Sequence, residues 1–290
     1  MKKIKIGIPR TNMYYKYGVF WKHFFLCLNC KIILSPETNN EILTIGSNNL
    51  LNNNCINNKT YFGHIKKLIN SCDYILIYKE CLNFPSCIYY KQFIENLKIH
   101  LSSSQILFFN PNKNKINEII KIALKLTKNP IRIIYAYLYA YDKQKNYNIN
   151  KENNQKNKLN NDENKVLIVN SENNIYKEEI IKYLETNNIT PLFSNNLSKK
   201  ESLFFTKHIK DIYINKEIKE YLGSLYYYQY SIKAIIYLNN TNCILDNYIY
   251  TFIKNEIKNI PTINIDNNNL INIETKLELL IDTINNIQNK

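Results

Sequence analysis

Cys72-Asp73-Tyr74-Ile75-Leu76-Ile77 passes from a polar turn directly into an unbroken apolar segment. A short apolar run bounded by polar residues reads as a strand buried on both faces, as in a parallel sheet. Neighbouring segments supply its partners. Lys3–Ile8 reads as an Ile-rich strand closed by Pro9, Lys31–Leu34 as a second and Gln105–Phe109 as another. Helices separate them. Tyr17–Leu28 carries Val19, Phe20, Phe24 and Leu28 at helical spacing. Ser35-Pro36-Glu37 starts a helix with Ser35 as N-cap and Pro36 in the first position. Phe62–Ile69, Lys91–Leu97 and Ile116–Thr127 are also helical. A βαβ series of this kind makes a parallel sheet covered by helices.

Beyond residue 140 the composition changes. Tyr141 to Lys165 is rich in Asn, Lys, Asp, Glu and Gln and has almost nothing apolar. Such a stretch buries too little surface to offset its ordering entropy, so a linker or loop is expected. The alternation then resumes, with strands at Val166–Val169, Thr190–Phe193, Ala234–Leu238 and Thr262–Ile265. The accompanying helices are Tyr176–Glu185, Ile218–Tyr228, Tyr248–Lys254 and Thr275–Ile287. The expectation is an α/β protein of two similar lobes, 1–140 and 166–290, with a polar linker at 141–165 and a cleft between the lobes. No short-period repeat is visible.

Composition excludes several classes. Five glycines in 290 residues argue against collagen and glycine-rich phosphate loops. No apolar run reaches the roughly 18–20 residues of a membrane span. The basic start Met1-Lys2-Lys3 leads into an apolar stretch broken by Lys5 and closed by Pro9-Arg10, which argues against a signal peptide. The net charge of +14 would suit a polyanion, but only Arg10 and Arg132 are arginines. Nucleic-acid sites lean on arginine for bidentate contacts, and Lys, Asn, Ile and Tyr share AT-rich codons, so the charge argues little for nucleic acid. Seven cysteines, an odd number at irregular spacing without a secretion signal, point to a reduced cytoplasm.

Ligands of open parallel sheets lie beyond the carboxyl ends of the strands, and this sorts the cysteines. Cys81 and Cys87 follow the strand Tyr74–Ile77, Cys243 follows Ala234–Leu238, and Cys55 lies in a polar loop before the helix Phe62–Ile69. These four are placed to converge on the cleft. Cys27, Cys30 and Cys72 read as small core hydrophobes. Cys27-Leu28-Asn29-Cys30 has C-x-x-C spacing but falls at a helix C-terminus, where no dipole lowers a thiol pKa.

Several stretches resemble a known family. They are Ile6-Gly7-Ile8-Pro9-Arg10 with Tyr14-Tyr15-Lys16-Tyr17, and Leu34-Ser35-Pro36-Glu37-Thr38-Asn39 with Glu41-Ile42-Leu43. Cys55, Lys59, Gly63-His64 and Cys72-Asp73-Tyr74-Ile75 form a third group. Ala234-Ile235-Ile236, Cys243, Pro261, Asp266 and Thr275-Lys276-Leu277-Glu278 form a fourth. Together they resemble proteins related to 2-hydroxyacyl-CoA dehydratases and their activases, of an uncharacterised branch from anaerobic bacteria. The resemblance implies two flavodoxin-like lobes. It also implies a 4Fe-4S cluster held by three cysteines from separate loops, at positions matching Cys55, Cys87 and Cys243 here. Three thiolates leave one iron open. Cys81 is a rival for the Cys87 position.

The sequence departs from the family pattern at Tyr78-Lys79-Glu80, Ile88-Tyr89-Tyr90-Lys91, Asn170-Ser171-Glu172-Asn173 and in the Asn-rich loop around Cys55. The function implied is low-potential electron transfer, or radical dehydration or reduction, with an ATP-hydrolysing activase or other electron-donor protein as partner and a CoA ester as candidate ligand. The alternative is a cluster-free assembly or regulatory protein that keeps the fold. There is no Walker loop, so ATP hydrolysis is assigned to the partner. No Ser-His-Asp order or zinc spacing of histidines is present. Arg10, after the first strand, marks either an anion or CoA-phosphate site or a salt bridge. His64 lines the site or sits at a helix start. Tyr226-Tyr227-Tyr228 reads as helix packing rather than a base-stacking platform.

Overall fold

The computed structural model describes residues 3–51, 54–79, 87–101, 105–111, 113–160, 164–169, 177–207, 216–239, 243–266 and 273–288. Among these, eight strands form two four-stranded sheets, parallel throughout. β1 (Lys5–Ile8), β2 (Lys31–Leu34), β3 (Tyr74–Tyr78) and β4 (Ile106–Phe109) lie in the order β2-β1-β3-β4. β5 (Asn164–Val169), β6 (Ile189–Phe193), β7 (Ala234–Asn239) and β8 (Thr262–Asp266) lie in the order β6-β5-β7-β8. Both orders are flavodoxin-like. The chain divides into two compact units, Met1–Tyr147 and Asn148–Lys290, one sheet in each.

The registers repeat. Ile6 of β1 pairs with Tyr74 of β3, and Val166 of β5 with Ala234 of β7. Helices repeat too. In the first unit, α1 (Asn12–Cys27), α2 (Asn40–Asn49), α3 (Ile56–Leu68), α4 (Ile88–His100) and α5 (Lys115–Leu126) separate or follow the strands. Then comes α6 (Pro130–Leu159). In the second unit α7 (Lys177–Thr186), α8 (Lys199–Phe205), α9 (Lys216–Tyr228), α10 (Ile244–Glu256) and α11 (Ile273–Gln288) take the corresponding places.

The central strands β1, β3, β5 and β7 are buried on both faces, as their composition requires, while the edge strands β2 and β8 are partly exposed. In the second unit Val166, Ile168, Ala234, Ile236 and Leu238 belong to one core, while Leu167, Val169, Ile235 and Tyr237 belong to another. Alternate residues of one strand point to opposite faces, so two cores flank the sheet. In the first unit Trp21, Phe24 and Phe25 of α1 pack with Ile6, Ile8, Leu76 and Phe109 of the sheet. Trp21 meets Phe109 edge-to-face at 5.0 Å between centroids.

Two sequence expectations change. The stretch 141–165, read as a linker or loop, is helical through Leu159 and enters β5 at Asn164. Its composition does lack apolar residues, but two buried glutamines fasten it. Gln144 Oε1 accepts the Phe20 N–H at 2.9 Å. Gln155 donates from Nε2 to the Phe193 carbonyl at 2.7 Å and accepts the Phe193 N–H at 3.0 Å. Hydrogen bonding supplies the tertiary anchor that apolar periodicity would otherwise have advertised. The second change is at Ser35, which does not cap a helix. The helix α2 begins at Asn40, and its N-cap is Asn39, whose side chain accepts the Ile42 N–H at 3.0 Å.

Candidate functional site

The carboxyl ends of β1, β2 and β3 gather the first unit's polar residues. β3 ends at Tyr78, which two tyrosines bracket. Its N–H donates to Tyr61 Oη of α3 at 3.1 Å, and its carbonyl accepts from Tyr90 Oη of α4 at 2.9 Å. Tyr61 is 5% exposed and Tyr90 8%, and burial raises the Tyr61 phenol well above its ordinary range. Two helices are thereby seated against one strand end. Their first turns are also joined, because Asn58 Nδ2 donates to the Tyr89 carbonyl at 3.2 Å and to Asn54 Oδ1 at 3.4 Å.

That arrangement places two of the predicted ligands. Cys55 is the N-cap of α3 and Cys87 the N-cap of α4. In the second unit Cys243 is the N-cap of α10, the helix that follows β7 as α4 follows β3. Asn239, at the end of β7, donates from Nδ2 to Asn247 Oδ1 at 2.9 Å and so ties that strand end to the first turn of α10. All three thiols are half-buried, and none forms a disulfide.

The other described cysteines occupy no N-cap position. Cys30 is buried, and Cys27 and Cys72, like Cys87, pack against the first unit's core. Burial raises the Cys27 thiol, and pushes Cys30 and Cys72 up to about 11. Such thiols stay protonated and inert. Cys81 lies outside the described residues.

The three N-cap thiols have the donor chemistry of an iron–sulfur site. Among the described residues, however, no group of three or more His, Cys, Asp or Glu side chains stands together as a metal site. Cys55 and Cys87 belong to the first unit and Cys243 to the second.

Arg10 lies just after β1, and His64 is the ninth residue of α3. Arg10 Nη1 pairs with Glu37 Oε1 at 2.6 Å, and its guanidinium lies 5.9 Å from the Tyr14 ring centre. This is the salt bridge considered from sequence. His64 has no exposed surface. Its Nδ1 is 2.9 Å from Ser35 Oγ and its Nε2 is 3.0 Å from Thr38 Oγ1. Ser35 Oγ already accepts the Arg10 N–H at 2.9 Å, so its own proton is available to Nδ1, leaving Nε2–H to donate to Thr38. Burial, then the Arg10 charge, lowers the His64 pKa to about 4. His64 thus joins β2, α3 and the β1–α1 turn as a neutral ring. Sequence reading saw Ser35 as a helix cap and Thr38 only as part of a motif. Their partnership with His64 carries no local signal, because it joins residues more than twenty positions apart.

No helix among the described residues is long and apolar enough to cross a membrane. No curated protein is significantly similar to the chain. The family described as CoA enzyme activase uncharacterised domain matches residues 5–197. The match includes β1 to β6 and both Cys55 and Cys87, and stops before Cys243. It spans more than half of the 290 residues, and the chain belongs to that activase-related CoA enzyme family.

Proposed function

We propose that this chain is an iron–sulfur component of a 2-hydroxyacyl-CoA dehydratase-like system, working in a reduced cytoplasm. Cys55, Cys87 and Cys243 would hold a 4Fe-4S cluster, and an ATP-hydrolysing activase would be the electron-donating partner. The observation that carries this reading is the common position of the three thiols. Each occupies the N-cap position of a helix without a side-chain cap bond, and Cys87 and Cys243 do so after the equivalent strands β3 and β7. Cys27, Cys30 and Cys72 hold no N-cap position. When bound, the cluster would supply one-electron chemistry at low potential, with three thiolates leaving one iron open to a further ligand. The protein's contribution is to keep those thiols half-buried at positive helix ends. A CoA ester would be the candidate substrate.

Purification under strict anoxia tests the proposal. A brown protein with about four irons per chain is expected, and Cys55→Ala or Cys243→Ala should each remove most of the iron. Cys30→Ala should leave it in place. A colourless, iron-free wild-type protein would overturn the proposal and return the alternative, a cluster-free assembly or regulatory protein on the same fold.

A further inference from the structure

The turn between β1 and α1 holds a run of polar groups that the protein itself leaves unused. Arg10 Nε, Thr11 Oγ1 and Asn12 Oδ1 are each shielded from solvent, and none has a hydrogen-bond partner. Thr11 is 6% exposed. It is the N-cap of α1, where a threonine hydroxyl ordinarily accepts a first-turn N–H, yet its side chain makes no cap bond. The N–H groups of Tyr14 and Tyr15 both go to the Thr11 carbonyl, at 2.8 and 3.2 Å. Those of Asn12 and Met13 precede the first intrahelical bonds and open from the end of the helix.

Buried polar groups are ordinarily satisfied. Three unsatisfied ones in consecutive residues, at the open end of a 16-residue helix, call for a ligand of matching polarity. The set is rich in donors: a guanidinium N–H, a hydroxyl and two backbone N–H groups. The helix dipole adds partial positive charge at the same point. Arg10 is already oriented. Glu37 holds its Nη1 and Tyr14 lies against its plane, while Nε on the other edge is buried. Glu37 is 83% exposed and offsets part of the Arg10 charge, so the hydroxyl, the backbone N–H groups and the helix end supply the rest of the attraction.

We propose that the β1–α1 turn binds a phosphate group. Thr11 Oγ1, Arg10 Nε and the N–H groups of Asn12 and Met13 donate to its oxygens. Asn12 Oδ1 accepts from a protonated phosphate oxygen or an adjoining hydroxyl of the same ligand. Neither the cysteines nor iron takes part, so this site stands or falls separately from the cluster.

Isothermal titration of the full-length chain with orthophosphate, ADP and coenzyme A, at an ionic strength fixed with NaCl, tests the site. Saturable binding of at least one of them is expected, weakened about tenfold in Thr11→Val through loss of one hydrogen bond to a charged group. Equal affinity for all three would mark orthophosphate as sufficient, and tighter binding of ADP or coenzyme A would mark the phosphate of a larger ligand. Both support the site. Thermal melts give a second readout. Without phosphate, Thr11→Val should melt no lower than wild type, because it removes an unsatisfied buried hydroxyl and no cap. The ligand should raise the wild-type Tm and leave that of Thr11→Val unmoved. Should Thr11→Val fail to fold, Arg10→Gln carries the same comparison. The proposal is overturned if none of the three ligands binds saturably to the wild type, or if the folded variant binds as tightly.

Discussion

His64 shows how one side chain couples three elements. Its ring is fully buried between Ser35 and Thr38, and it stays neutral because burial lowers its pKa from 6.5 to about 4. The unfolded chain binds a proton near pH 6.5, while the folded chain does not until about pH 4. Stability is therefore fully present above pH 6.5 and falls as pH drops through this window, by on the order of 2–3 kcal/mol. Urea unfolding at pH 7 and pH 4.5 should show the loss, and His64→Gln should flatten that part of the profile while lowering stability at pH 7. A wild-type protein equally stable at both pH values would contradict the assigned neutral ring. Position along the chain also sorted the cysteines. A thiol after a strand end was readable as a candidate ligand and a thiol on an apolar helix face as core. Which atoms meet His64 was not readable, since Ser35 and Thr38 reach it only after β2 and α3 have docked.

Paired helices explain three of the five glycines. A Cβ on Gly46 of α2 would lie 1.8 Å from the Lys59 carbonyl oxygen of α3, and one on Gly63 of α3 would lie 2.1 Å from the Ile42 carbonyl oxygen of α2. In the second unit a Cβ on Gly223 of α9 would lie 1.8 Å from the Ser202 carbonyl oxygen of α8. Gly63 and Gly223 are each the eighth residue of a 13-residue helix, so both lobes use the same device for close backbone approach. Gly63→Ala and Gly223→Ala should each cost about 2–3 kcal/mol by forcing the helices apart, visible as a lower Tm. Gly18→Ala meets only the Tyr14 ring, which can rotate, and should cost less. At α6 the decisive contact is Gln155, 3% exposed, whose amide pairs with both backbone groups of Phe193 and donates to Tyr228 Oη at 2.7 Å. It covers part of the outer edge of β6 as a neighbouring strand would. Gln155→Leu leaves those groups unpaired and should lower stability by about 2–4 kcal/mol in denaturant unfolding. Composition predicted a loop here because hydrogen-bonded glutamines resemble solvated ones in a sequence.

At the scale of the whole molecule, the iron content of anoxically purified protein is the measurement that separates the two functional readings. The proposed phosphate turn is tested without reference to it. The lysine-rich charge of +14 enters neither argument, because the site residues are set by strand ends and helix caps. The sequence by itself determined the alternation of strands and helices, and hence two parallel α/β lobes. Unbroken apolar runs such as Tyr74–Ile77 have nowhere to go but a sheet covered on both faces. It also placed Cys81, Cys87 and Cys243 after strand ends and Cys55 in a polar loop before a helix, while the set Cys55, Cys87 and Cys243 came from the family resemblance. Tertiary structure decided that Cys55, Cys87 and Cys243 stand at helix N-cap positions, that α3 and α4 are locked onto Tyr78, that Ser35 serves His64 rather than a helix, and that an Asn- and Lys-rich stretch is helical. The physical reason is one of range. Periodicity and composition report short-range preferences, while the hydrogen bonds of Gln155, His64 and Asn58 join positions distant in sequence and exist only once the lobes have folded.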